Sequence, residues 1–358
     1  MTDGLSDFGA DGWQPGLDHL VAAAADLGDD ADAITRIEGM ILGRLVTRLR
    51  IEEWYRVHGT DAAHPVDGPV VIVGLPRTAT TALHHLLGLD PRFRYPRTWE
   101  MANPLPPPDL ATEQDDPRRP NRSNRGSDVR HISAPDGPTE DGTIYGLDFH
   151  NQELGQPVPT YTAWWRDADQ RSGFAYHERV LRLLHSHRPP HFWLVKAPAY
   201  LFHLSQLVAQ YPNARFVMTH RDPAQAIPSA CSTIEAARQM LVPGWSAGPT
   251  FGTEILEHFL EGVHRAVEAR DVLGQDRFID VAQKDVEADA VASAERIYAF
   301  LGLVLADEVR AAMAQWALDN RRGSRGEHRY TPEDYGLTDE GIRDAFRSYT
   351  ETYGDLCA

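Results

Sequence analysis

Residues 71–82 run Val-Ile-Val-Gly-Leu-Pro-Arg-Thr-Ala-Thr-Thr-Ala, an apolar strand that feeds a hydroxyl-rich turn and then a helix. Such a junction favours anions, because a helix N-terminus presents unpaired backbone N–H groups and the positive end of its macrodipole. Arg77 adds a fixed charge on a five-donor fork, while Thr78, Thr80 and Thr81 add hydroxyls. The stretch departs from the triphosphate pattern G-x-x-x-x-G-K-[ST]: Ala79 stands where the second glycine belongs, and no lysine follows. The missing Lys-Ser/Thr pair would hold Mg²⁺ and the terminal phosphates. A nucleotide-like anion bound without a metal is the chemistry that remains. The plain alternative is an ordinary strand–turn–helix with a capping threonine.

The rest of the chain supplies the frame. Residues 16–58 predict two or three helices, with Leu42, Leu45, Leu49 and Trp54 at helical spacing. Strand 69–74 leads into the anion loop and a helix from Thr80 to Leu89. From Pro91 to Tyr145 the pattern dissolves into Pro, Asp, Arg, Asn and Gly, which predicts a lid leaving the anion site directly. Helix 174–186, strand 192–195 ending in Lys196, helix 201–210 and strand 215–220 follow. Asp222-Pro223 then caps and starts another helix. Helix 252–272, strand 277–282 and helices 290–301 and 306–318 complete the alternation. Strands separated by helices predict an α/β fold: one domain over 66–358, a central parallel sheet flanked by helices, and a helical extension over 1–65. Ligands of such sheets bind beyond the carboxyl ends of the strands. Arg77, Lys196 and Arg221 all fall at such ends, and three cations at equivalent places are hard to explain as solvated surface.

A formal charge of −17 over 358 residues argues against nucleic acid and polyanionic partners. The two cysteines, Cys231 and Cys357, form no metal or disulfide pattern. The acidic start lacks a signal-peptide core, and no apolar run approaches the ~20 residues of a membrane span. A cytoplasmic protein with a small-molecule partner is the expectation.

These motifs resemble those of the sulfotransferases that use 3′-phosphoadenosine-5′-phosphosulfate (PAPS), in the bacterial branch with a long Pro-rich segment after the first motif. Gly74-Leu-Pro-Arg-Thr-Ala-Thr-Thr-Ala-Leu83 is similar to the family's 5′-phosphosulfate loop. Arg221-Asp-Pro-Ala-Gln-Ala-Ile-Pro-Ser229 matches its 3′-phosphate motif, an Arg followed by a Ser at the eighth position. Arg321-Arg-Gly-Ser-Arg-Gly326 resembles the loop that closes on the same phosphate, within a segment spanning 321–336. The resemblance implies a P-loop-like sulfotransferase fold and donor binding by Arg77, Thr78, Ala79, Thr80, Thr81, Arg221, Ser229, Arg322 and Gly323, with no metal. It also implies that Lys196 and Arg77 act in catalysis. Gln283 occupies the place where the family often stacks the adenine on a tyrosine.

Sulfuryl transfer is an in-line displacement between two oxygens, so positioning and charge stabilisation dominate. The acceptor hydroxyl (or amine) needs a base. Pro198 stands where some members carry a histidine, and Glu100 lies where others carry a glutamate; His150 and His131 are the reserves. Phe149, Tyr161, Trp164 and Trp165 suggest a pocket for a small, largely apolar acceptor, or else core or a homo-oligomer surface. The competing functions are a metal-dependent P-loop kinase of a small metabolite and a catalytically silent nucleotide-binding protein.

Overall fold

The computed structural model describes residues 4–59, 65–119, 136–188, 191–321 and 330–357. Five strands, β1 (Val70–Gly74), β2 (Phe93–Arg94), β3 (Phe192–Lys196), β4 (Arg215–His220) and β5 (Phe278–Ala282), form one parallel sheet in the order β2-β3-β1-β4-β5. Every residue of β1 is buried, as expected of a continuous apolar run covered on both faces. Its side chains divide by the two-residue period of a strand. Val70 and Ile72 pack with Leu83, Leu86, Ala294, Ile297 and Met313 on one face. Val71 and Val73 join the larger apolar body on the other, with Leu181, Leu184, Phe259 and Val263.

Chain direction then selects the site. The connection after β1 runs to β2 on one side of the sheet, whereas the connection after β4 runs to β5 on the other. Neighbouring strands whose connections diverge leave a crevice at their carboxyl ends. Arg77 and Arg221 follow β1 and β4, so the topology brings them to that crevice.

The Ala31–His58 helix packs Ile37, Ile41, Ile51 and Tyr55 into the same apolar body as the sheet. Of the expected stripe, Leu49 is buried and Leu45 and Trp54 pack against the core, but Leu42 is 62% exposed, and Arg48 and Glu52 also face inward. Both are paired, Arg48 to Asp148 at 2.6 Å and Glu52 to Arg179 at 2.6 Å, which is what makes buried charges tolerable. Among the described residues no helix is long and apolar enough to cross a membrane.

The described parts of the Pro-rich stretch form a wall with secondary structure of its own rather than a structureless run, and residues 120–135 of the expected lid lie outside the described residues. The wall contains β2, the Thr98–Ala102 helix and the Gly142–Gly146 helix. Glu100 is the centre of this wall. It is fully buried, accepting from Arg94 Nη2 at 2.8 Å, from Arg97 Nη2 at 2.5 Å and from the Arg97 backbone N–H at 3.0 Å. Arg97 continues to Glu113 at 2.9 Å. The expectation that Glu100 is the base is therefore corrected: its lone pairs are committed to two arginines, away from the cavity described below. Burial pushes its carboxyl pKa up, but Arg94 and Arg97 outweigh that and hold it below the ordinary value of 4.5.

A carboxyl depressed on folding stabilises above its unfolded pKa, and that contribution is lost as pH falls through the folded one. Glu100→Gln should cost about 3–5 kcal/mol at neutral pH, because it strands buried arginines. Denaturant titrations of both proteins should show the gap narrowing as the pH falls below about 4.5; a gap independent of pH would contradict the assignment.

Candidate active site

The anion loop is shaped by a contact that excludes a side chain. Gly74 has φ +156°, and a Cβ there would lie 2.3 Å from Thr219 Oγ1 on β4. Thr78 fills the space beneath. Its hydroxyl donates to the Leu75 carbonyl at 2.6 Å and shares a 2.6 Å hydrogen bond with Thr219 Oγ1. The Thr78 side chain is fully buried, so it fastens the turn to β4; this corrects its expected role as a hydroxyl offered to the ligand. Arg77 (φ +69°) and Ala79 (φ +72°) both adopt left-handed backbone, which costs an L-residue roughly 1–2 kcal/mol. Ala79 thus takes the conformation expected of the glycine it replaces. The Thr80–Leu87 helix starts immediately after it, with its first N–H groups turned to the loop.

Arg77, Ala79, Thr80 and Thr81 line a cavity of about 1660 Å³ together with Arg221 and Ser229. Arg77 Nε donates to Ser229 Oγ at 3.1 Å, and Arg221 Nη1 donates to the Arg77 carbonyl at 2.9 Å. The two segments expected to hold different phosphates therefore touch. Asp222 caps the Pro223–Leu241 helix that carries Ser229, accepting from the Ala224 N–H at 2.9 Å. Lys196, at the end of β3, is almost fully buried and sits just behind the cavity wall. Its Nζ lies 2.5 Å from Glu140 Oε1 and 3.4 Å from Thr81 Oγ1, both on residues that line the cavity. Beneath the loop, burial and the nearby Lys196 and His85 charges hold His84 well below the usual histidine range.

The same cavity extends past the end of β5, where Gln283, Val286, Val291 and Trp316 line it. Gln283 donates to Glu287. Trp316, half-buried, stacks on His85 with ring centroids 6.1 Å apart. It escapes sequence analysis because it sits in an ordinary amphipathic helix, Asp307–Asp319. Arg321 also lines the cavity, whereas Arg322 and Gly323 lie outside the described residues.

Other expected residues lie elsewhere. Phe149, Tyr161 and Trp165 are core, with the Tyr161 hydroxyl on the Phe149 carbonyl and Trp165 Nε1 on the His150 carbonyl, each at 2.6 Å. Trp164 stacks on His19 at 4.5 Å. His150 is buried with Nδ1 against the Asp148 carbonyl at 2.6 Å, and His131 lies outside the described residues. None of the four aromatics lines the cavity. Its remaining wall includes Thr139, Glu140, Thr143, Asn151, Gln152, Glu153 and Gln156, with Leu154, Ile234 and Phe259 as apolar patches.

The model of the Sulfotransferase family matches residues 69–307, the span from β1 through β5 and the two helices beyond it. The chain is 24% identical over 297 residues to the omega-hydroxy-beta-dihydromenaquinone-9 sulfotransferase Stf3 of Mycobacterium bovis, covering 76% of this chain and 73% of that protein. The crystal structure of sulfotransferase STF9 from Mycobacterium avium superposes with a TM-score of 0.85 at 27% identity, covering 98% of this chain and 93% of that one. That of STF1 from Mycobacterium tuberculosis gives 0.81 at 28% identity, covering 97% and 96%. With the family's span matched and its fold reproduced around the β1–β4 crevice, this chain belongs to the sulfotransferase family.

Proposed function

We propose that the chain transfers the sulfuryl group of PAPS to a hydroxyl of a small molecule. The observation that carries this is the link from Ser229 through Arg77 to Arg221, which joins two cationic positions at one crevice. A donor with one anionic group at each end fits that arrangement. The 5′-phosphosulfate would lie on the N–H groups and hydroxyls of Thr80 and Thr81 beside Arg77. The 3′-phosphate would lie on Arg221 and Ser229. The adenine would stack on Trp316, with Val286 and Val291 near it.

Attack of the acceptor oxygen on sulfur forms the new S–O bond and breaks the bond to the bridging oxygen, which keeps the electron pair. Charge grows on that oxygen only in the transition state, so a cation placed there accelerates transfer. Lys196, reachable beside Thr81, is the group for it. For the acceptor, the wall of threonines and amides suits a polar end and Leu154, Ile234 and Phe259 suit an apolar body. The name of the Mycobacterium relative, an enzyme for an omega-hydroxylated menaquinone, is compatible with such an alcohol.

Calorimetry should show 3′,5′-adenosine bisphosphate binding far more tightly than AMP. Removing one partner of a buried charged contact costs ~2–5 kcal/mol, so Arg221→Ala should weaken the bisphosphate at least ~30-fold. Equal affinity for AMP and the bisphosphate would refute the 3′-phosphate site. Labelled PAPS tested against farnesol, benzyl alcohol, phenol and 4-nitrophenol then reads transfer itself.

Trp316→Ala should weaken the bisphosphate by the ~1–3 kcal/mol of one base–aromatic stack, and the wild-type tryptophan fluorescence change on binding should shrink with it. Unaltered affinity in the folded variant would move the adenine elsewhere.

A further inference from the structure

Sulfuryl transfer leaves a proton to be removed, and the carboxylates that line the cavity differ sharply in what they are free to do. Among the described residues these are Glu140, Glu153, Glu287 and Asp289. Glu153 is nearly buried, bonded by Arg44 at 2.7 Å and Asn151 at 3.2 Å. Asp289 caps the Ala290–Phe300 helix through the Ala292 N–H at 2.9 Å. Glu287 belongs to the end beyond β5 and accepts from Gln283. Of these four, Glu140 alone reaches Lys196, and its side chain is 41% exposed.

The backbone around it is fixed. The Thr139 N–H donates to the Pro96 carbonyl at 2.9 Å and the Asp141 N–H to the Lys196 carbonyl at 3.4 Å. Asp141 points the opposite way, fully buried against His177 Nε2 at 3.0 Å and the Tyr200 hydroxyl. One acidic residue of the pair is thus an anchor, and the anchor turns the other toward the cavity beside the cation assigned to the leaving group.

We propose that Glu140 is the general base, and that it also competes with the donor for Lys196. This rests on the PAPS reading above. A donor seated on Thr80 and Thr81 offers its bridging oxygen to the Lys196 ammonium that Glu140 otherwise holds. Drawing Lys196 over releases the Glu140 carboxylate, next to the place where the acceptor hydroxyl must lie to attack sulfur in line. The acceptor O–H proton passes to Glu140 as the S–O bond forms. The pair of the breaking bond goes to the phosphate oxygen, and Glu140 later returns the proton to solvent. One residue therefore has opposite effects on the two halves of the reaction: it opposes donor binding and assists acceptor attack.

The test is Glu140→Gln, with Glu140→Asp as the conservative companion. Calorimetry with 3′,5′-adenosine bisphosphate should show Glu140→Gln binding about two- to fivefold more tightly, the worth of one partly exposed ion pair. Sulfate transfer from labelled PAPS should fall by about 10²–10⁴ with benzyl alcohol, and with water read as released sulfate. The loss should be smaller with phenol and smallest with 4-nitrophenol, whose proton needs least help, and Glu140→Asp should recover part of the rate. A folded Glu140→Gln that binds the bisphosphate equally or more weakly overturns the competition. One that keeps more than about a third of the wild-type rate, or loses the same factor on every acceptor, overturns the base, since a merely structural partner of Lys196 has no reason to respond to acceptor acidity. A wild-type chain that does not prefer the bisphosphate to AMP fails the donor reading instead, which separates the two outcomes.

Discussion

Gly74 meets Thr219 across β1 and β4 with no room for a Cβ, and the geometry of the cavity follows from that contact. Because the two strands end side by side, the chain after β1 must turn within a few residues. The Thr78 hydroxyl, held between the Leu75 carbonyl and Thr219, fixes where it turns. Arg77 and Ala79 absorb the turn as left-handed backbone, and the Thr80–Leu87 helix starts with its N-terminus at the crevice. Strain of this kind persists only where surroundings over-determine it. Here the buried threonine pair and the parallel register between Gly74 and Thr219 do so.

Charge is distributed to match. The chain is strongly acidic overall, yet several of its buried carboxylates are absorbed in pairs with residues that do not line the cavity: Glu100 with Arg94 and Arg97, Asp148 with Arg48, Glu52 with Arg179. At the crevice, the contacts of Arg77 and Arg221 include a serine hydroxyl, a backbone carbonyl and the amide of Gln225. These contacts fix the position of each guanidinium at the cavity wall.

What could be read in the sequence was whatever announced itself by local pattern. The four longer strands are apolar runs, and Arg77, Lys196 and Arg221 are conspicuous because each follows such a run. β2 is two residues long and carries no periodicity, so nothing in Phe93-Arg94 distinguishes it from loop. Glu100 misleads for a different reason. Its partners Arg94 and Arg97 are close in sequence, but only the folded wall shows that all three are shut away together. The aromatics at 149–165 stay open between pocket and core in the sequence, because both draw on the same residue types. Glu140 and Asp141 are adjacent acidic residues in one irregular stretch; which faces the cavity depends on His177 and Tyr200, 36 and 59 positions from Asp141. Such a distinction is tertiary and has no local signature.

The hydrogen bonds from Arg77 to Ser229 and from Arg221 to the Arg77 carbonyl have a mechanical side as well. The loop after β1, the first residue after β4 and the helix that follows are tied into a closed bracket, with strands in register at its base. Its jaws cannot open one at a time, because moving either loop breaks a bond to the other. For the donor proposed above, the bracket would work as a caliper: it would measure the separation between two charged groups on one molecule, and a ligand of the right charge but the wrong span would spoil the fit at one jaw by seating at the other.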